Sequence, residues 1–151
     1  MSRVQLALNV TDLDKAVDFY TKLFATEPAK RKPGYANFAI AEPPLKLVLL
    51  ENPGHGGTLN HLGVEVESSG QVHAEIARLT DAGMFTEEEI GTTCCFATQD
   101  KVWVTGPGGE RWEVYTKLAD TENFGTPPAF ATLPLTEAAS CCTDAPTGTS
   151  S

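Results

Sequence analysis

Asn60-His61-Leu62-Gly63-Val64-Glu65-Val66-Glu67-Ser68 decides the fold, because it restarts a pattern that the chain has already run once. The stretch reads as a strand over 60–67, with Leu62, Val64 and Val66 on one side and His61, Gly63 and Glu65 on the other. Downstream, Gln71 to Ala82 reads as a helix with Val72, Ile76 and Leu79 on its apolar stripe. Ser68 and Gln71 stand at capping-box spacing and Gly83 is the stop. Two strands follow, about Lys101 to Thr105 and Arg111 to Thr116, and the glycine-rich link Gly106-Pro107-Gly108-Gly109 brings them into antiparallel register.

Upstream the same order is visible. Val4 to Val10 is rich in branched apolar residues, as a strand buried on both sides requires. Thr11 is a good N-cap for a helix with Leu13, Ala16, Val17, Tyr20, Leu23 and Phe24 on one face. A basic turn, Lys30-Arg31-Lys32-Pro33-Gly34, leads into strands at about Ala36 to Ala41 and Leu45 to Glu51, joined at Glu42-Pro43-Pro44 as a hairpin. The chain is thus a strand, a helix and several strands, performed twice; the repeat rests on element order rather than matching letters. Each half offers one sheet face to its helix, and the two free faces can pair around a cavity. The expected domain spans 1–117, with modules at about 3–51 and 60–117. From Leu118 the chain turns rich in Thr, Pro, Ala, Gly and Ser, with four acids and no Lys or Arg. Residues 118–151 are therefore expected to form a mobile acidic tail.

A length of 151 residues suits one domain or two small intimate modules, and 41% apolar content supplies a packed core. A net charge of -9 argues against nucleic acid and anionic membrane surfaces as partners. No stretch approaches the roughly 20 apolar residues of a membrane span, and the start Met-Ser-Arg-Val-Gln lacks a signal-peptide core. The expected home is the reducing cytosol, where cysteines remain thiols.

That matters because Cys94 and Cys95 are adjacent, and Cys141-Cys142 repeats the pair in the tail. Neighbouring Cα atoms lie about 3.8 Å apart, short of the ~4.4 to 6.8 Å of an ordinary disulfide, so the pair is a poor staple. Two readings stand. Either residue can be a small apolar filler. Together the two can clamp one soft, thiophilic atom. On a regular strand they would face opposite ways, so a shared ligand needs a loop or bulge. The preceding Glu87-Glu88-Glu89-Ile90-Gly91-Thr92-Thr93 reads as such a loop.

Three strand residues have side chains suited to a metal: Gln5, His61 and Glu113. Gln5 and His61 occupy similar places in their half-repeats, which sets them across a pseudo-two-fold axis. Imidazole, carboxylate and amide oxygen at open coordination suit Fe(II), Mn(II), Ni(II) or Zn(II). Each residue also has a plain reading: a hydrogen-bonded core histidine, an outward carboxylate on a strand. Lys101, Gln99 and Asp100 follow the cysteines and can orient them or simply be solvated. His55, in Pro53-Gly54-His55-Gly56-Gly57, reads as part of a linker, and His73 as an exposed helix residue.

The paired halves, the turn Gly-Pro-Gly-Gly-Glu-Arg-Trp-Glu-Val-Tyr and the opening Asn-His-Leu-Gly-Val-Glu-Val resemble the vicinal oxygen chelate superfamily over about residues 3 to 117. That superfamily includes glyoxalase I, extradiol dioxygenases and the bleomycin and fosfomycin resistance proteins. The resemblance implies an α+β fold of two βαβββ modules whose curved mixed sheet encloses a cavity. Two blocks, Lys32 to Leu49 and Thr93 to Val104, are similar to the organoarsenical carbon-arsenic lyases and cadmium-induced proteins, as is the tail pair Cys141-Cys142. This implies a non-haem Fe(II), O2-dependent enzyme that converts trivalent organoarsenicals, methylarsenite or trivalent aromatic arsenicals, to arsenite. Gln5, His61 and Glu113 then match the metal ligands, with catalytic roles. Cys94 and Cys95 match the substrate-binding pair, while Cys141, Cys142 and Lys101 are accessory. Ni(II), Co(II), Mn(II) or Zn(II) are expected substitutes for the iron. Gln5 stands where the usual iron triad has a second histidine, which leaves the metal's identity open.

Two rivals follow from the same residues. A glyoxalase-type isomerase needs a fourth ligand from the last strand of the first half, where Leu45 to Leu50 offers only apolar residues and Lys46, with Glu51 at the edge. A thiol protein that sequesters cadmium or arsenite predicts binding without turnover. The two halves close their cavity within a monomer or by exchange in a homodimer, and the sequence leaves both open.

Overall fold

Strand β1 (Arg3–Val10) is the seam of the architecture. The computed structural model describes residues 2–120. After β1 come α1 (Leu13–Phe24), β2 (Lys30–Lys32), β3 (Tyr35–Ile40) and β4 (Leu45–Glu51). The second half repeats the order as β5 (Leu59–Glu65), α2 (Ser69–Asp81), β6 (Glu87–Cys94), β7 (Ala97–Thr105) and β8 (Arg111–Asp120). The result is two βαβββ modules in one 8-stranded mixed sheet, ordered β2-β3-β4-β1-β5-β8-β7-β6. β1 runs parallel to β4 and antiparallel to β5, and β5 runs parallel to β8. The seam between the halves is therefore a hydrogen-bonded ladder with one register shift, between Ala7 and Leu8.

The sheet curls until its ends meet. Tyr35 of β3 packs edge-on against Phe96, beyond β6, at 5.5 Å between centroids. Ala7, Tyr35, Val48 and Leu50 of the first half share one buried cluster with Cys94, Cys95 and Phe96 of the second. Lys30 of β2 donates to the Phe96 carbonyl at 3.1 Å and pairs with Asp120 of β8 at 2.6 Å. These contacts join the two ends of the curled sheet.

Both helices cover the outer face. α1 buries Leu13 and Val17 against Phe38, Ile40, Leu47 and Leu49, while α2 buries Val72 and Leu79 against Val102. The expected cap of α2 is present: the Ser68 hydroxyl accepts from the Gln71 N–H at 3.2 Å, and Gln71 Oε1 accepts from the Glu67 N–H. Gly83, at φ 85, supplies the left-handed residue after the helix. In α1 the cap is Asp12 rather than Thr11, its carboxylate accepting from the Lys15 N–H at 3.1 Å. Leu23 is more than half exposed, so the apolar face is narrower than its sequence spacing implies.

Two strands escape the hydrophobic pattern. Lys30–Lys32, expected as a turn, is the edge strand β2, and Glu87–Cys94, expected as a loop, is the edge strand β6. Edge strands pair on one side only and carry charge that discourages further pairing, so their sequences need not alternate. The β6–β7 register shifts between Glu89 and Thr92, where Gly91 takes φ 66 and its N–H donates to Asp100 Oδ1. β8 runs past the expected boundary at 117 to Asp120, while the tail reading, with Cys141 and Cys142, lies outside the described residues. Among the described residues no helix is long and apolar enough to cross a membrane.

Candidate metal centre and thiol pair

Gln5, Gly63 and Glu113 stand in one row across β1, β5 and β8, since Gln5 pairs with Gly63 and Gly63 with Glu113. His61 lies two residues along the same face. The glycine makes the convergence possible. A Cβ at position 63 would lie 2.9 Å from Glu113 Cγ, 3.0 Å from the Glu113 carbonyl and 3.2 Å from Gln5 Nε2. All three candidate ligands are inside: Gln5 is 4% exposed, His61 1% and Glu113 2%. Gln5 Nε2 lies 3.3 Å from His61 Nε2, and Glu113 Oε1 lies 3.9 Å from the same nitrogen.

Burial decides the charge states. It pushes the His61 imidazole down to about 4, with Glu113 acting against it, so the ring is neutral at neutral pH. The Glu113 carboxylate is held by the fully buried Lys101 ammonium at 3.1 Å, which also faces the Trp103 and Tyr115 rings. The Tyr115 hydroxyl donates to Gln5 Oε1 at 2.7 Å.

These residues fit a divalent cation. A neutral imidazole, a carboxylate and an amide meet around a space that Gly63 keeps clear, and the donors are those of an open N/O site. Among the described residues no three His, Cys, Asp or Glu side chains gather to hold a metal. A three-donor centre here would therefore need the Gln5 amide, whose oxygen would be the ligating atom. The Tyr115 hydroxyl both donates and accepts, so it can hold that amide in either orientation.

The cysteines occupy the far hairpin. β6 ends at Cys94 and β7 begins at Ala97, which pair, leaving Cys95 and Phe96 as a two-residue turn. Both turn residues have positive φ, 56 and 65, the conformation that a two-residue hairpin of this twist demands and that glycine usually supplies. Retaining Cys95 and Phe96 there costs about 1 to 2 kcal/mol per residue. The turn defeats strand alternation: the two sulfurs lie 3.2 Å apart, and both residues are buried. Contrary to the expectation that all the cysteines remain thiols, Cys94 is disulfide-bonded in this structure. Burial pushes the Cys95 thiol up to about 12, with Lys101 acting against it. Gln99 steadies the turn by donating to the Cys94 carbonyl at 2.9 Å.

One cavity of about 190 Å³ joins the two sites, its wall including Gln5, His61, Glu113, Cys95, Tyr35 and Lys46. Asp100 does not face it; its carboxylate bridges the Gly91 N–H and the Ser69 hydroxyl at 2.7 and 2.5 Å. His55 and His73 are exposed and stand apart. Gly63, Tyr115, Asn60 and Asn9 were not singled out by sequence. The dipeptide Asn60-His61 was the available signal: two polar residues in succession entering a buried strand.

The glyoxalase/bleomycin resistance protein/dioxygenase superfamily profile matches residues 3–114. The chain is 77% identical to Cadmium-induced protein CadI of Mycobacterium tuberculosis over 142 residues, 94% of this chain and 93% of that one. It is 56% identical to the trivalent organoarsenical cleaving enzyme of Thermomonospora curvata over 149 residues, 98% and 93% of the two chains. The fold is that of the Mn(II)-bound glyoxalase from Novosphingobium aromaticivorans, at TM-score 0.56 and 20% identity, covering 80% of this chain and 42% of that one.

Proposed function

The chain belongs to the glyoxalase/bleomycin resistance protein/dioxygenase superfamily, and we propose that within it the protein is an Fe(II)- and O2-dependent enzyme that cleaves the carbon-arsenic bond of trivalent organoarsenicals to arsenite. The observation that carries this reading is the shared cavity: Cys95, whose sulfur lies 3.2 Å from that of Cys94, and the three-donor centre line the same space.

Trivalent arsenic with one organic group has two exchangeable hydroxyls. Once the Cys94 disulfide has been reduced by an external thiol, each of the two thiols forms one sulfur-arsenic bond and passes its proton to the departing hydroxide, so two waters leave. Cys95 suits that exchange because it enters protonated and brings the proton with it. The carbon-arsenic bond is untouched, and two sulfur bonds fix its direction, which removes orientational entropy from the next step. Gln5, His61 and Glu113 would hold the iron, which when bound supplies O2 activation at its open positions. Lys101 donates to the Glu113 carboxylate and aims it. Tyr35, Val48 and Ala7 exclude water around the sulfurs. For the methyl substrate, one methylarsenite and one O2 balance to one arsenite and one formaldehyde.

A glyoxalase-type site is disfavoured by register. Ala7 pairs with Val48 as Gly63 pairs with Glu113, so the place of a fourth ligand in the first half is Val48. Glu51 is engaged elsewhere, its carboxylate accepting from the Leu13 N–H at 3.0 Å. The thiol-store reading has a relative's name in its favour, induction by cadmium, but gives the buried trio no task.

The deciding experiment incubates reduced protein with Fe(II) and methylarsenite without oxygen, then admits O2. Binding alone is expected in the first stage and arsenite release in the second, with Cys94→Ser and Glu113→Ala inactive. Arsenite formed without iron or without O2 defeats the mechanism.

A further inference from the structure

We propose that Asn60, anchored by Asn9, locks the tautomer of His61 so that its Nε2 lone pair always faces the cavity. Both asparagines are positioning residues of the metal centre proposed above, on which this inference rests.

The first observation is a bulge. β1 pairs Ala7 with His61 but Leu8 with Leu59, so Asn60 is the extra residue of β5. A bulge breaks alternation, and here it turns two successive side chains inward, Asn60 and His61, both buried. Their side chains meet at 2.7 Å between Asn60 Oδ1 and His61 Nδ1. An amide oxygen only accepts, so Nδ1 carries the proton. On the other side of the ring, Gln5 Nε2 lies 3.3 Å from His61 Nε2. With the proton on Nδ1, Nε2 is bare and faces the Gln5 amide. The Asn60 contact sets the tautomer, since the Tyr115 hydroxyl can hold the Gln5 amide either way round.

The second observation is what fixes the amides themselves. Asn60 Nδ2 donates to Asn9 Oδ1 at 3.0 Å, Asn9 Nδ2 donates to the Thr58 hydroxyl at 2.9 Å, and that hydroxyl donates to the His55 carbonyl at 2.6 Å. Asn52 Nδ2 adds a donor to Asn9 Oδ1 at 3.3 Å. A backbone carbonyl cannot donate, so the last link points one way only, and each link behind it inherits that direction. With the proton moved to Nε2, Asn60 would have to turn its amide and set its oxygen against the oxygen of Asn9. Partners that orient a ligating histidine usually affect metal affinity 10- to 100-fold. β1 thus contributes both a ligand, Gln5, and the anchor of the neighbouring ligand's lock, Asn9, four residues apart on one face.

The test reads the tautomer directly, in metal-free protein labelled with 15N-histidine, by long-range nitrogen-proton NMR correlations. His55 and His73 are exposed and serve as references. Wild-type His61 is expected as the pure Nδ1–H form, Asn60→Leu as a mixture or the Nε2–H form, and Asn60→Asp as Nδ1–H again. Asn9→Ala is expected to loosen the lock in part. Mn(II), a poor partner for thiols, is then titrated alone by EPR, with affinity falling about 10- to 100-fold in Asn60→Leu and recovering in Asn60→Asp. A wild-type His61 protonated on Nε2, or Asn60→Leu with the tautomer and affinity unchanged, overturns the proposal. If Asn60→Leu does not fold, the wild-type spectrum and Asn9→Ala decide. Wild-type protein that ignores Mn(II) breaks the metal reading, while the tautomer spectra still decide the lock.

Discussion

The two halves share a plan and divide the labour. At corresponding places the first carries Gln5, Ala7 and Val48, and the second His61, Gly63 and Glu113. The first half packs eight buried apolar residues into its cluster under α1, whereas the second packs three under α2. The second instead buries Lys101, Glu113 and the cysteine turn. The first half is the better packed frame, and the second holds charge and sulfur in the interior, where neither helps folding.

The sharpest way to break that comparison is at Glu113. Glu113→Ala removes a proposed centre ligand and the buried carboxylate that pairs with the Lys101 ammonium, so turnover is expected to vanish and unfolding free energy to fall by about 3 to 5 kcal/mol. Pairing Glu113→Leu with Lys101→Met is expected to recover the stability in urea denaturation and none of the turnover. Next comes the frame. Phe38→Ala in the first half is expected to cost about 3 to 5 kcal/mol. The same readout should give a smaller loss for Leu79→Ala, whose cluster is smaller and collapses more easily; equal losses would erase the division.

The pH dependence belongs to the second half. His61 titrates at about 4 when folded against 6.5 unfolded, so the unfolded chain takes up the proton first. The stability present above 6.5 is lost as pH falls towards 4, by roughly 3 kcal/mol, and His61→Gln should flatten that slope. Smaller effects test the small residues. Gly63→Ala is expected to cost about 1 to 3 kcal/mol by overpacking and to weaken Mn(II) binding, whereas Ala7→Gly should cost only about 0.5 to 1 kcal/mol. Cys95→Gly relieves a positive φ while losing a buried side chain, so stability should move by no more than about 1 kcal/mol. Retention of methylarsenite should nonetheless be lost.

The repeat, both helices and all six interior strands were legible, because periodicity and element order report on buried faces; that Gln5, His61 and Glu113 come together followed from their strand positions and from the family resemblance. The edge strands β2 and β6 were not. Lys30-Arg31-Lys32 and Glu87-Glu88-Glu89 bury little, so pairing alone makes them strands. Cys94 and Cys95 were expected in a loop so that both could serve one ligand; a hairpin turn of positive φ meets that need by different means. The bulge at Asn60 is a register event of a single residue and leaves no periodic mark. Gly63 looked like an ordinary strand glycine until the strands on either side were known.

The ladder between β1 and β5 has a thermodynamic consequence. Gln5 belongs to one half, His61 and Glu113 to the other, so a cation held by all three spans the joint. Whatever it gains from both halves being aligned, alignment gains from it: at a free concentration of 100 times its dissociation constant the joint is tightened by about 2.7 kcal/mol. With the proposed cation bound, its supply would set the protein's resistance to unfolding, and the thinly packed second half would be the one to benefit.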